Sequence, residues 1–250
     1  MLPFFALAAA AGLIGGAMNA LAGGGTFATL PALIALGLPA NIANATSNVA
    51  LMPGAATSAW SFRDEIGPVG GIATRLLAAI TFAGGLIGSA LLVVTPTRAF
   101  DLIIPWLIFY AFVILAFGKR ATAWLAARVA IGARTLLAVQ ALLGIYGGYF
   151  GGGVGLMMTA THGLLAGLHP RAMFAPRTLM LAVANIAAAL VFIAVGMVAW
   201  AACLPMLAGA ILGGWLGAEA GKRLPPGAVR AWTLLVTGAT AIIFFLRAYG

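Results

Sequence analysis

Two glycine triplets, Gly23-Gly24-Gly25 and Gly151-Gly152-Gly153, interrupt apolar runs at corresponding places in the two halves of the chain. Glycine is a poor helix former, so a triplet ends one helix and leaves the next beginning with unpaired N–H groups. Such an N-terminus carries a partial positive charge and suits a bound anion. A lone triplet reads as a tight turn or a close helix contact. Two at matching positions, each followed by a short apolar segment, read as an anion site.

Polar side chains gather around both breaks. Asn19 precedes the first and Thr26 follows it, and Asn44, Thr46, Ser47 and Asn48 open the next run as NATSN. Tyr146 and Tyr149 precede the second break, with Thr178 and Asn185 in the run after it. Taken singly, such residues hydrogen-bond neighbouring membrane helices or mark the lipid interface. As a set they supply the donors a cavity for a polar solute needs. Arg177 reads equally as a boundary arginine and as a bidentate ligand for a sulfonate or carboxylate. His162, in mid-run, reads as a neutral ring bonded to a backbone carbonyl, with a functional role as the alternative.

Catalysis lacks comparable support. Asp64, Glu65, Asp101 and Glu219 lie near segment ends, and His162 and His169 are the two histidines, so no general acid, base or metal cluster converges. The single cysteine, Cys203, excludes an internal disulfide and the usual zinc spacings. The chain therefore reads as a non-enzyme without a cofactor. A membrane-embedded enzyme, a passive anion channel and a structural assembly factor remain the alternatives.

The elements that must position these residues belong in lipid. With 64% hydrophobic and 7% charged residues and a mean hydropathy of +1.13, there are too few polar side chains to cover a soluble globule. The net charge of +9 could suggest nucleic acid. However, the basic residues lie in short connections and form no basic face on one helix, so no nucleic-acid partner is expected. The first run has no positive region before it of the kind a signal peptide carries, and is read as a retained membrane segment.

Apolar runs number ten, five in each half, which predicts an all-α integral membrane protein. Two are short: Thr26 to Leu38 spans roughly 20 Å and Val154 to Leu168 roughly 22 Å, against a hydrocarbon core of about 30 Å, so they cross the membrane or re-enter it. With ten segments, eleven of the thirteen Lys and Arg share one side, all except Arg98 and Arg247. With eight crossings the same charges split six against seven. The positive-inside rule selects the first count and places both termini outside the cytoplasm. Residues 1–118 then form one repeat, 119–134 a cytoplasmic linker and 135–250 a second repeat.

The halves also match in sequence. Gly25 and Gly153 are 128 residues apart, Gly37-Leu38 and Gly167-Leu168 are 130 apart, and Ala83 to Gly88 matches Ala208 to Gly213 at 125. Five segments is an odd number, so the second repeat enters inverted, as in many secondary transporters. Gly209, Gly213, Gly217 and Gly221 fall on one helical face, with Gly84 and Gly88 spaced likewise, for close packing within a protomer or across a homodimer.

Triplet, short segment ending in Gly-Leu-Pro or Gly-Leu-His-Pro, and Asn-Ala-Thr-Ser opening, repeated once in 250 residues, resemble the TauE/SafE family of sulfite and organosulfonate exporters over nearly the whole chain. The resemblance implies movement of small organosulfur anions across a bacterial-type inner membrane. It carries over to Gly23 to Gly25, Gly151 to Gly153, Asn44 to Asn48 and Pro176-Arg177-Thr178; Asn19, in MNALA, is a departure from the family pattern.

Overall fold

The computed structural model describes residues 2–126, 132–166, 173–221 and 223–250. Among the described residues ten α-helices follow one another: α1 (Leu2–Ala22), α2 (Thr26–Ala35), α3 (Ala40–Ser61), α4 (Thr74–Val94), α5 (Thr97–Ala126), α6 (Ala133–Tyr149), α7 (Val154–Ala166), α8 (Phe174–Ala194), α9 (Trp200–Gly221) and α10 (Pro226–Tyr249). The expected number of segments is therefore met. Six of them, α1, α4, α5, α8, α9 and α10, are long and apolar enough to cross a membrane. α3 is long enough, but its polar NATSN stretch lowers its hydropathy. That stretch is not a helix opening as expected: it lies inside α3 and is buried, with Thr46 against the start of α9 and Ser47 against α2. α5 runs on to Ala126, so the start of the expected 119–134 linker is helical. Residues 127–131, including Arg128, lie outside the described ones, as do Arg171 and Lys222.

Small residues decide which helices touch. Gly12 abuts Met206 and Gly16 abuts Ala210, so α1 and α9 run side by side in the same direction. Gly209, Gly213 and Gly217 complete that seam from the α9 side against Ala9, Leu13 and Ala17. The glycine face of α9 thus packs within the protomer. α4 and α6 form a matching parallel seam, with Gly84 against Ala141 and Gly88 against Ile145. Without hydrophobic driving force between helices in lipid, such backbone approach supplies the van der Waals contact that associates them.

The pairings exchange when the halves are exchanged. α1 packs on α9 as α6 packs on α4; α3 packs on α9 as α8 packs on α4. The last helices of the two halves, α5 and α10, pack on each other in opposite directions. Asp101 near the start of α5 pairs with Arg247 near the end of α10 at 3.3 Å, while Arg230 near the start of α10 donates to the Ala116 carbonyl of α5 at 2.8 Å. The third helices, α3 and α8, meet end to start, with Phe62 against Phe174 at 6.2 Å between ring centroids.

Candidate functional site

At the end of α1 the chain turns back on itself. Gly23 has φ +75°, a conformation that costs glycine little and other residues much. Its N–H donates to the carbonyls of Met18 at 3.1 Å and Asn19 at 2.8 Å, closing the helix. α2 then runs back along α1, so that Thr29 packs against Gly15. At ten residues, about 15 Å, α2 is too short to span a bilayer. The end of α6 repeats the device. Gly151 has φ +77° and its N–H donates to Tyr146 at 3.3 Å. The third positions of the triplets differ: Gly25 is right-handed at φ −57°, whereas Gly153 is at φ +77°.

The two breaks meet. A Cβ on Gly23 would stand 2.5 Å from the Cα of Gly155, and one on Gly151 would stand 3.7 Å from Thr26 Oγ1 and 3.3 Å from Asn48 Nδ2. Phe27 lies over Gly152 and Gly153, with its ring 6.5 Å from that of Phe150. Gly24 sits against Phe27 and Leu156. The N-termini of α2 and α7 thus come together at a buried crossing built from both halves. In α7 the first amide with a helical acceptor is that of Met157, bonded to Gly153, so the amides before it have no acceptor within the helix.

Most sequence-identified residues collect here, several in roles other than the expected ones. The Gly25 N–H, expected as an anion donor, is bonded to Asn19 Oδ1 at 3.3 Å. Ser47 and Thr29 share a 2.6 Å hydrogen bond that ties α3 to α2. Asn44 Nδ2 donates to the Tyr149 carbonyl at 3.0 Å, at the end of α6. The Tyr146 hydroxyl donates to the Gly152 carbonyl at 2.9 Å and pins the second triplet.

Arg177 is neither an exposed boundary residue nor a free fork. It is 3% exposed and donates through Nη2 to Ala20 O at 2.9 Å and Nη1 to Leu21 O at 3.4 Å. These are the last carbonyls of α1, where a cation is favoured by the helix dipole. The guanidinium also lies 4.5 Å over the Phe174 ring. Thr178 bonds back to Phe174 and Ala175 within α8 and does not reach the crossing. Asn185 is buried about two turns farther along α8.

His162 stands apart. It bonds to a side chain, Gln140 Oε1 at 2.8 Å, and not to a backbone carbonyl as expected. Gln140 in turn donates to Thr81 Oγ1 at 2.6 Å, which donates to Leu77 O at 2.7 Å. This buried chain locks α7, α6 and α4 together. Gln140 and Thr81 escaped the sequence reading, although Gln140 is the one amide in the apolar run of α6 and could have been noticed as such.

Membrane-length helices around a buried crossing of two broken segments define an integral membrane protein, and comparison places it in a family of membrane transporters. The model of the family described as Sulfite exporter TauE/SafE matches residues 8–244, and the chain belongs to that family. It is 29% identical over 213 residues to the "Probable membrane transporter protein" of Haemophilus influenzae, covering 83% of this chain and 81% of that one. It is likewise 29% identical over 218 residues to the "Probable membrane transporter protein YfcA" of Escherichia coli K12, covering 85% and 77%. No solved structure matches the chain.

Proposed function

We propose that the protein exports small anions such as sulfite or organosulfonates, binding them where the two glycine breaks meet and exposing them alternately to either side as two inverted repeats rock against each other. The carrying observation is that crossing: Gly23 of one half lies on Gly155 of the other, with the starts of two short helices converging there. Converging helix starts form a positive site at membrane depth, as in broken-helix transporters. The repeats are inverted in this reading because α5 and α10 run in opposite directions while the α1–α9 and α4–α6 seams are both parallel. The short helices α2 and α7 are re-entrant. The membrane is the bacterial-type inner membrane, with both termini outside.

Arg177 no longer counts toward that topology, since it is buried at the end of α1. Ten of the remaining twelve Lys and Arg still share the cytoplasmic side, since thirteen less one is twelve and eleven less one is ten. Export needs no coupling ion for a monoanion. With the cytoplasm negative, outward movement of one negative charge gains about 2.3 kcal/mol per 100 mV. The test is efflux of radiolabelled sulfite and alkyl sulfonates from proteoliposomes under an imposed potential. Saturable, potential-driven flux that accelerates with anion on the far side supports alternating access. Flux without saturation would identify a channel instead, and none would refute the reading.

A further inference from the structure

Four buried atoms at the crossing have no partner among the described residues, and their chemistry differs between its two sides. Beside the first break are Asn19 Nδ2 and Arg177 Nε; beside the second are Asn44 Oδ1 and Asn48 Oδ1. Asparagine ends are easily interchanged, and the Asn48 amide can turn either end to a ligand, but backbone partners fix Asn19 and Asn44. Asn19 accepts from the Gly25 N–H, so its oxygen is engaged and its NH2 is left over. Asn44 donates to the Tyr149 carbonyl, which only its NH2 can do, so its oxygen is left over. Arg177 Nε can only donate. All four residues are 5% exposed or less.

The two sides adjoin. Asn19 holds Gly25, the next residue is Thr26, and Thr26 Oγ1 faces Gly151, two residues beyond the Tyr149 that Asn44 holds. A ligand seated there meets donors on one side and an acceptor on the other. A plain alkyl sulfonate offers only acceptors, so Asn44 Oδ1 would face another lone pair and stay unpaired, which is costly in a buried site. An anion with its own O–H or N–H satisfies both sides. Resting on the reading of the crossing as the substrate site, we propose that the protein selects small oxyanions that carry a hydrogen-bond donor. The anionic group faces Asn19 and Arg177, and the donor faces Asn44.

Two monoanions of equal size make the test: 2-hydroxyethanesulfonate and propane-1-sulfonate, which differ by a hydroxyl in place of a methyl. In proteoliposomes of the full chain, half-maximal flux of the hydroxyl compound is expected at about tenfold lower concentration, the effect of one buried hydrogen bond made or left unmade. Asn44→Ala should bring the two within about twofold by weakening the hydroxyl compound alone, whereas Asn19→Ala should weaken both. Equal affinities in the wild type, or a preference that survives Asn44→Ala, would overturn the proposal. If Asn44→Ala does not insert, the wild-type comparison alone decides. Flux of both compounds at equal affinity defeats the selectivity and leaves transport standing; flux of neither defeats the transport reading and this proposal with it.

Discussion

The ends of α1 and α6 are the same device closed in two ways. Each helix stops at a glycine of positive φ, and each has its last carbonyls held by a side chain from the third helix of the other half. For α1 that side chain is the charged Arg177 of α8; for α6 it is the neutral Asn44 of α3. At the 130-residue offset Arg177 falls on Ser47 and Asn44 on Phe174, so the two caps stand at different positions of the two halves. A crossing that would otherwise be nearly symmetric thereby gains one buried cation on the α1 side.

Substitutions at the turns and caps should affect the two ends unequally. The largest effect is expected at Gly23, where valine would have to adopt positive φ and press into Gly155. The combined strain and overpacking amount to about 3 kcal/mol or more, so Gly23→Val should lose flux and show a large drop in thermal unfolding temperature in detergent. The cap of α1 comes next. Arg177→Ala strips two buried carbonyls of their donors and should cost about 2–3 kcal/mol by the same assay. Arg177→Lys keeps a point charge but not the fork, so half-maximal flux should move up about tenfold. Unchanged concentration dependence in the lysine variant would confine the arginine to capping.

Asn44→Ala removes a single neutral hydrogen bond from the corresponding end of α6 and should cost about 1 kcal/mol, clearly less than Arg177→Ala. Equal losses at the two caps would mean that the charge on the α1 side adds nothing. The smallest effect on transport is expected at Gln140. It ties α6 to α4 and α7 away from the crossing, so Gln140→Leu should lower thermal stability by about 1–2 kcal/mol while half-maximal flux stays where it was.

The frame of this architecture was legible in the residues because glycine triplets, apolar runs and charge placement each carry a local physical signal. The triplets marked both turns, and the runs gave the number of helices. Legibility failed where a residue's role depends on a distant partner. Arg177 was open to two readings because nothing near it in sequence reveals that α8 reaches the end of α1, 156 residues away. The same holds for Asn44, whose partner lies 105 residues away. Asn19, which departed from the family pattern, caps Gly25 from six residues back. His162 drew notice as an ionisable group in an apolar run, yet its partner Gln140, from a different helix, decides that it is part of a packing network.

An anion seated at the crossing of the two breaks would shield position 48, and protection of a cysteine placed there is the measurement that reports it. In a Cys203→Ser background, a cysteine replacing Asn48 faces Gly151, while one replacing Ser58 lies buried farther along α3. The rate of modification by a small methanethiosulfonate reagent is measured with and without a saturating concentration of the anion that proteoliposomes carry. Modification should slow at Asn48→Cys and keep an unchanged rate at Ser58→Cys. Equal rates at Asn48→Cys with and without the anion would contradict an anion seated at the crossing.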